Sequence, residues 1–156
     1  MTIEDRLKDL KINLPEPLEP IGSYIPFKRV GNLIYFSGQG PMWDKVPKYH
    51  GKVGRELNKE QGYEAAKLTA LNMISQIKNA IGDLDKVKQF VDVTGFINCT
   101  DDFIDQPYVL NGFSEMIIEV FGEKGYHSRC AVPSGTLPMD TPVEIKMIVE
   151  VYDENC

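Results

Sequence analysis

With 156 residues, 42% of them hydrophobic, the chain is long enough to build one globular domain around its own core. Its formal net charge is −6 and it has no run of five basic residues, which argues against nucleic acid as the main partner. No apolar stretch reaches transmembrane length, and His50 and His127 stand far apart with no paired ligand spacing, so neither a membrane span nor a metal site is expected.

The three cysteines, Cys99, Cys130 and Cys156, form no CxxC pair and are odd in number. The N-terminus also lacks an apolar signal region. Together these point to a reducing cytoplasm.

Taken in order, residues 1–17 read as a short amphipathic helix followed by a proline-rich connector, and 18–156 as a single domain. Ile3, Leu7 and Leu10 fall at helical spacing, with Thr2 and Asp5 at capping positions. Pro15, Pro17 and Pro20 then predict an extended segment over Leu14–Pro20. Ile21–Arg29 predicts a first strand, and Gly31-Asn32 a hairpin turn into Leu33–Ser37. That second run has no polar alternation, so a strand covered on both faces is expected. Ser37-Gly38-Gln39-Gly40-Pro41 ends it with small residues, which read either as a plain turn or as backbone a ligand can approach closely. Met42–Val53 predicts an irregular loop leading to a short edge strand.

Asn58–Ile81 carries the clearest helical signal. Asn58 and Gln61 make a capping box, Gly82 a stop, and Tyr63, Ala66, Ala70, Ile74, Ile77 and Ile81 a buried stripe. A strand follows around Gln89–Ile97. Asp105–Phe121 predicts a second helix, with Asp105 as its cap and Pro107 in its first turn. Strands around Arg129 and over Val143–Tyr152 complete an α+β arrangement in which two helices cover one face of a mixed sheet. If the other face carries Val143, Ile145 and Met147, a second chain has to bury it, and a homo-oligomer is expected on that ground.

Arg129 and Glu144 are expected on neighbouring strands joined by a Pro/Gly loop. A fixed cation beside a carboxylate can hold an anionic substrate next to a proton-transfer group. The same pair also reads as an ordinary cross-strand ion pair.

Pro20-Ile21-Gly22-Ser23-Tyr24, Gly31–Gln39, Asn111, Arg129 with Leu137-Pro138, and Val143-Glu144-Ile145 together resemble the YjgF/RidA family of reactive intermediate deaminases. The longer N-terminus and Gly125-Tyr126-His127-Ser128-Arg129 look most like a less studied branch. The resemblance implies a chorismate-mutase-like fold and a homotrimer whose sheets form an inner barrel, with ligand sites in the clefts between subunits. It also implies hydrolysis of enamines or imines such as 2-aminoacrylate to a 2-keto acid and ammonia, without metal or organic cofactor. Arg129 would grip the substrate carboxylate, Glu144 would position or activate water, and Tyr24, Ser37, Gly38 and Asn111 would line or polarise the pocket.

Better-known members resemble Arg-Ser-Cys where this chain has Arg129-Cys130-Ala131. The thiol is therefore expected on the strand face opposite Arg129, and Pro133 is expected to interrupt the strand. Cys130 reads as an inert thiol or a nucleophile, and His127 as a structural or rim residue or a proton donor. Two further readings stand beside the deaminase. One is a non-catalytic trimer that binds small carboxylates or regulates through them; the other is a ribonuclease, against which the acidic balance counts.

Overall fold

Thr2 and Asp5 exchange hydrogen bonds, Asp5 N to Thr2 Oγ1 at 3.0 Å and Thr2 N to Asp5 Oδ2 at 3.1 Å, and this capping box starts helix α1 (Ile3–Asp9). Lys11, with φ 57°, turns the chain out of the helix. The computed structural model describes residues 1–154; Cys156 lies outside the described residues. From α1 the chain runs extended through the prolines. Ser75 Oγ donates to the Pro15 carbonyl at 2.6 Å and Gln76 Nε2 to the Leu18 carbonyl at 2.9 Å, so two buried polar side chains hold the connector.

Strand β1 is shorter than predicted, Phe27–Val30, because Pro26 and the bends before it keep residues 21–26 out of the sheet. The Gly31-Asn32 turn leads into β2 (Leu33–Gln39), with Val30 opposite Leu33. In place of an edge strand after Met42 there is a small hairpin, β3 (Met42–Trp43) and β4 (Val46–Pro47). Asp44 and Lys45 both take positive φ in its two-residue turn. Val53 makes only isolated bridges.

Helix α2 (Lys59–Ile81) starts on the predicted capping box and ends at Gly82. Its buried surface is broader than the predicted stripe, since Met73, Ser75 and Gln76 also face protein. Strand β5 (Val87–Asn98) follows, then α3 (Gln106–Phe121), β6 (Ser128–Ser134) and β7 (Val143–Val151). Asp105 precedes α3 without capping it through its side chain; its carboxylate instead stands 3.7 Å from Lys59 Nζ.

The five-stranded sheet has the order β1-β2-β7-β5-β6, with β5 and β6 parallel and the other pairs antiparallel. β2 and β5 both run antiparallel to β7 and so parallel to each other. Each parallel step needs a crossover, and α2 and α3 supply the two on one face. This is the mixed α+β, chorismate-mutase-like arrangement expected.

Two corrections follow from the strand order. β5 lies between β6 and β7, so the strands of Arg129 and Glu144 are not neighbours. Pro133 also does not break β6: it sits opposite Ile97 on an edge strand, where one side of the backbone needs no donor.

The core lies between sheet and helices, with Phe90, Phe113, Ile74, Ile117, Ile145 and Met147 among its fully buried side chains. Each contributes about 1.5–3 kcal/mol of burial. Val143, Ile145 and Met147 belong to this covered face, against the expectation that they would need a partner chain. The uncovered face of β7 carries Glu144, Lys146, Ile148 and Glu150. Strand β2 is likewise covered on one side only, with Ile34 and Phe36 buried and Tyr35 44% exposed. Among the described residues, no helix is long and apolar enough to cross a membrane.

Candidate functional site

The expected site residues fall into two separate groups. The first gathers where β2 ends. A bulge between Phe36 and Gln39 breaks its pairing with β7 and brings Gly38 against Glu144. Two adjoining clefts of about 70 and 310 Å³ share Ile21, Tyr24, Gly38, Pro138 and Glu144 as lining. The loop beneath them is pinned by Met139 and Asp140, both at positive φ. His50 Nδ1 bonds the Met139 carbonyl at 3.1 Å, and Gly51 N donates to the Asp140 carbonyl at 2.8 Å.

Glu144 is half-buried and makes no hydrogen bond or ion pair with any described residue. Burial alone raises its pKa above the usual glutamate value. Such a carboxylate is available to take and return a proton. Ser37 is occupied elsewhere: its hydroxyl donates to the Ile25 carbonyl at 2.7 Å and its amide to the Pro26 carbonyl at 3.0 Å. It therefore holds the Tyr24 segment and, with Tyr24 and Gly38, lines a neighbouring cleft that Glu144 does not line.

The second group lies on the helix side of the sheet. Arg129 sits opposite Val93, a core residue, and its side chain reaches α3. Nη2 donates to Asn111 Oδ1 at 2.8 Å and to the Pro107 carbonyl at 3.1 Å, and Nη1 to Ser114 Oγ at 3.0 Å. These contacts use three of the five guanidinium N–H groups. Burial pulls the Arg129 pKa down and Glu115 opposes that pull.

Ser114, which is not among the residues expected from the sequence, joins Arg129 to His127. Its hydroxyl lies 2.9 Å from His127 Nε2, while His127 Nδ1 lies 2.6 Å from the Gly125 carbonyl. A carbonyl only accepts, so the proton of the neutral ring sits on Nδ1 and Nε2 accepts from Ser114. Burial lowers the His127 pKa first of all; the Gly125 contact and Asp92 oppose this, and Arg129 adds to it. Helical spacing from Asn111 to Ser114 was the only available hint.

Cys130 is exposed opposite Thr94, on the sheet face away from Arg129, as strand alternation predicts. Arg129 and Glu144 thus leave the sheet on opposite faces, and Arg129 lines neither of the two clefts at Glu144.

Comparison with known proteins agrees with this arrangement of elements. The family described as "YjgF/chorismate_mutase-like, putative endoribonuclease" matches residues 4–151. Protein TCP17 of Trypanosoma cruzi is 39% identical over 146 residues, covering 93% of this chain and 91% of its own. The crystal structure of Atu1372, a protein of unknown function from Agrobacterium tumefaciens, has a TM-score of 0.90 at 40% identity, covering 96% of this chain and 92% of its own. That of a "putative endoribonuclease" from Shewanella oneidensis has a TM-score of 0.94 at 33% identity, covering 97% and 100%. By sequence match over nearly its whole length and by fold, the chain belongs to the YjgF/RidA family.

Proposed function

We propose that this protein hydrolyses reactive enamines or imines of small amino acids to 2-keto acids and ammonia, in sites formed between the subunits of a homotrimer. The observation that carries the reading is the Glu144 carboxylate, desolvated, unpartnered and open to a cleft, on a chain whose Arg129 has donors to spare.

Neither group completes a site alone. Exposed apolar side chains flank each, with Ile21 73% and Ile25 55% exposed near Glu144 and Ile104 84% exposed at the start of α3. Joining the Glu144 group of one copy to the Arg129 group of the next buries both flanks and brings anchor and base together. Sheets meeting through their uncovered faces would form the inner barrel.

The chemistry asks little of such a site. Arg129 and Asn111 hold the substrate carboxylate, and Gly38 lets the iminium carbon approach Glu144. Glu144 takes a proton from water as its oxygen attacks that carbon, then returns the proton to the amino nitrogen. As the C–N bond breaks, Glu144 takes the proton of the new hydroxyl, ammonia leaves, and the keto acid remains.

The test is ammonia release from an imine generated in situ by an amino-acid oxidase. Acceleration by wild type that is lost in both Arg129→Ala and Glu144→Gln is expected. A folded wild type that gives none overturns the reading.

A second reading, a trimer that binds small carboxylates without turnover, is favoured by one observation: Asn111 already occupies Arg129 in the free chain. Calorimetry showing 2-keto acid binding in a protein with no turnover would select it. The net charge of −6 speaks against RNA as substrate.

A further inference from the structure

Arg129 is held by α3 through a hydroxyl that is itself aimed by an imidazole. Nη2 spends both its hydrogens on Pro107 and Asn111, a contact about which the guanidinium plane can still pivot. The Ser114 contact to Nη1 removes that freedom and leaves Nε–H and one Nη1 hydrogen without a described partner.

A serine hydroxyl rotates, and with its proton turned toward Nη1 it would repel the cation. His127 prevents this by accepting that proton at Nε2, which leaves an Oγ lone pair facing Arg129. His127 is fixed in turn by the Gly125 carbonyl and packs with its ring centroid 6.5 Å from that of Phe90. The charged groups around the ring are Arg129 on β6 and Asp92 on β5, and Asp92 is itself engaged by Ser128 Oγ at 2.7 Å.

We propose that Ser114 and His127 are positioning residues that set the plane of the Arg129 guanidinium for an incoming carboxylate. This rests on the reading of Arg129 as the carboxylate anchor.

The test is calorimetry of the full chain with 2-oxobutanoate, with steady-state kinetics alongside. Arg129→Ala abolishes binding. Ser114→Ala and His127→Leu weaken it on the order of tenfold, the scale of one hydrogen bond to a charged group. They lower kcat/KM at least as much, because the carboxylate they help to hold is bonded directly to the reacting carbon, so a tilted guanidinium misplaces that carbon as well. His127→Gln, whose amide oxygen can replace the Nε2 acceptor, recovers part of the loss.

Wild-type affinity in Ser114→Ala and His127→Leu, with binding lost in Arg129→Ala, overturns the positioning role and leaves the anchor standing. Unchanged affinity in Arg129→Ala, or no binding by wild type, overturns the anchor. In that case nitrogen-15 spectra of the Arg129 side chain decide the positioning role by themselves. Resolved Nη1 and Nη2 signals in wild type that average in Ser114→Ala support it; the same spectrum in both proteins overturns it.

Discussion

Gly38 and Glu144 are in such close approach that a β-carbon on residue 38 would stand 3.0 Å from Glu144 Cγ and 3.3 Å from Oε1. The carboxylate therefore lies over bare backbone at the β2 bulge, and a β-carbon at residue 38 would push it aside by a few tenths of an ångström.

Gly38→Ala should displace the Glu144 carboxylate while leaving the fold in place, since the backbone of residue 38 has no positive φ. Overpacking of this kind costs about 1–3 kcal/mol. Imine hydrolysis is expected to fall on the order of 100-fold, as for a misplaced catalytic group. Ammonia release and thermal melting separate the two effects.

Glu144→Gln removes the proposed base and should lower turnover roughly 10²–10⁴-fold. Stability moves the other way. The folded chain favours the protonated carboxyl, so Glu144 supports the fold below its unfolded pKa, and that support is lost as pH rises from 4.5 through the raised folded value. The variant is therefore expected to melt above wild type at pH 7, with the gap closing as pH falls toward 4. In wild type, activity should fall as pH drops through that same raised pKa. Melting curves and rates from pH 4 to 8 check both.

Asn58→Ala breaks the capping box of α2, in which Gln61 N donates to Asn58 Oδ1 at 2.8 Å and Asn58 N to Gln61 Oε1 at 2.9 Å. Loss of such a cap costs about 1 kcal/mol. For a chain of this size Tm should fall by roughly 2–4 °C per kcal/mol. Arg129-dependent binding is expected to persist, because the cap lies outside both halves of the site.

Gly112→Ala should unfold or severely destabilise the protein. A β-carbon there would fall on the Tyr63 carbonyl oxygen, 2.9 Å from its carbon and 3.2 Å from Lys67 N, all of it α2 backbone. No side chain can yield, so the helices would have to separate, at about 3 kcal/mol or more. Soluble yield and denaturant midpoint measure it.

Local signals in the sequence are legible where the physics is local. Thr2/Asp5 and Asn58/Gln61 cap helices because each pair satisfies amides three residues away, and Gly31-Asn32 turns a hairpin. Asp105 holds the N-cap position of α3 without a side-chain cap bond, because a capping residue type does not ensure a capping geometry. Alternation also set Cys130 apart from Arg129.

What the sequence by itself determined is therefore the helices and the main strands, the family resemblance, and Arg129, Glu144, Gly38, Tyr24 and Asn111 as residues to watch. Tertiary structure alone decided the strand order, which inserts β5 between β6 and β7, and the face each side chain takes. Period-two alternation says that Val143 and Glu144 point opposite ways, but not which of them meets the helices. That choice depends on where α2 and α3 cross. It sent Val143 into the core, Glu144 to the open face and Arg129 to α3, where Ser114 and His127 were waiting for it.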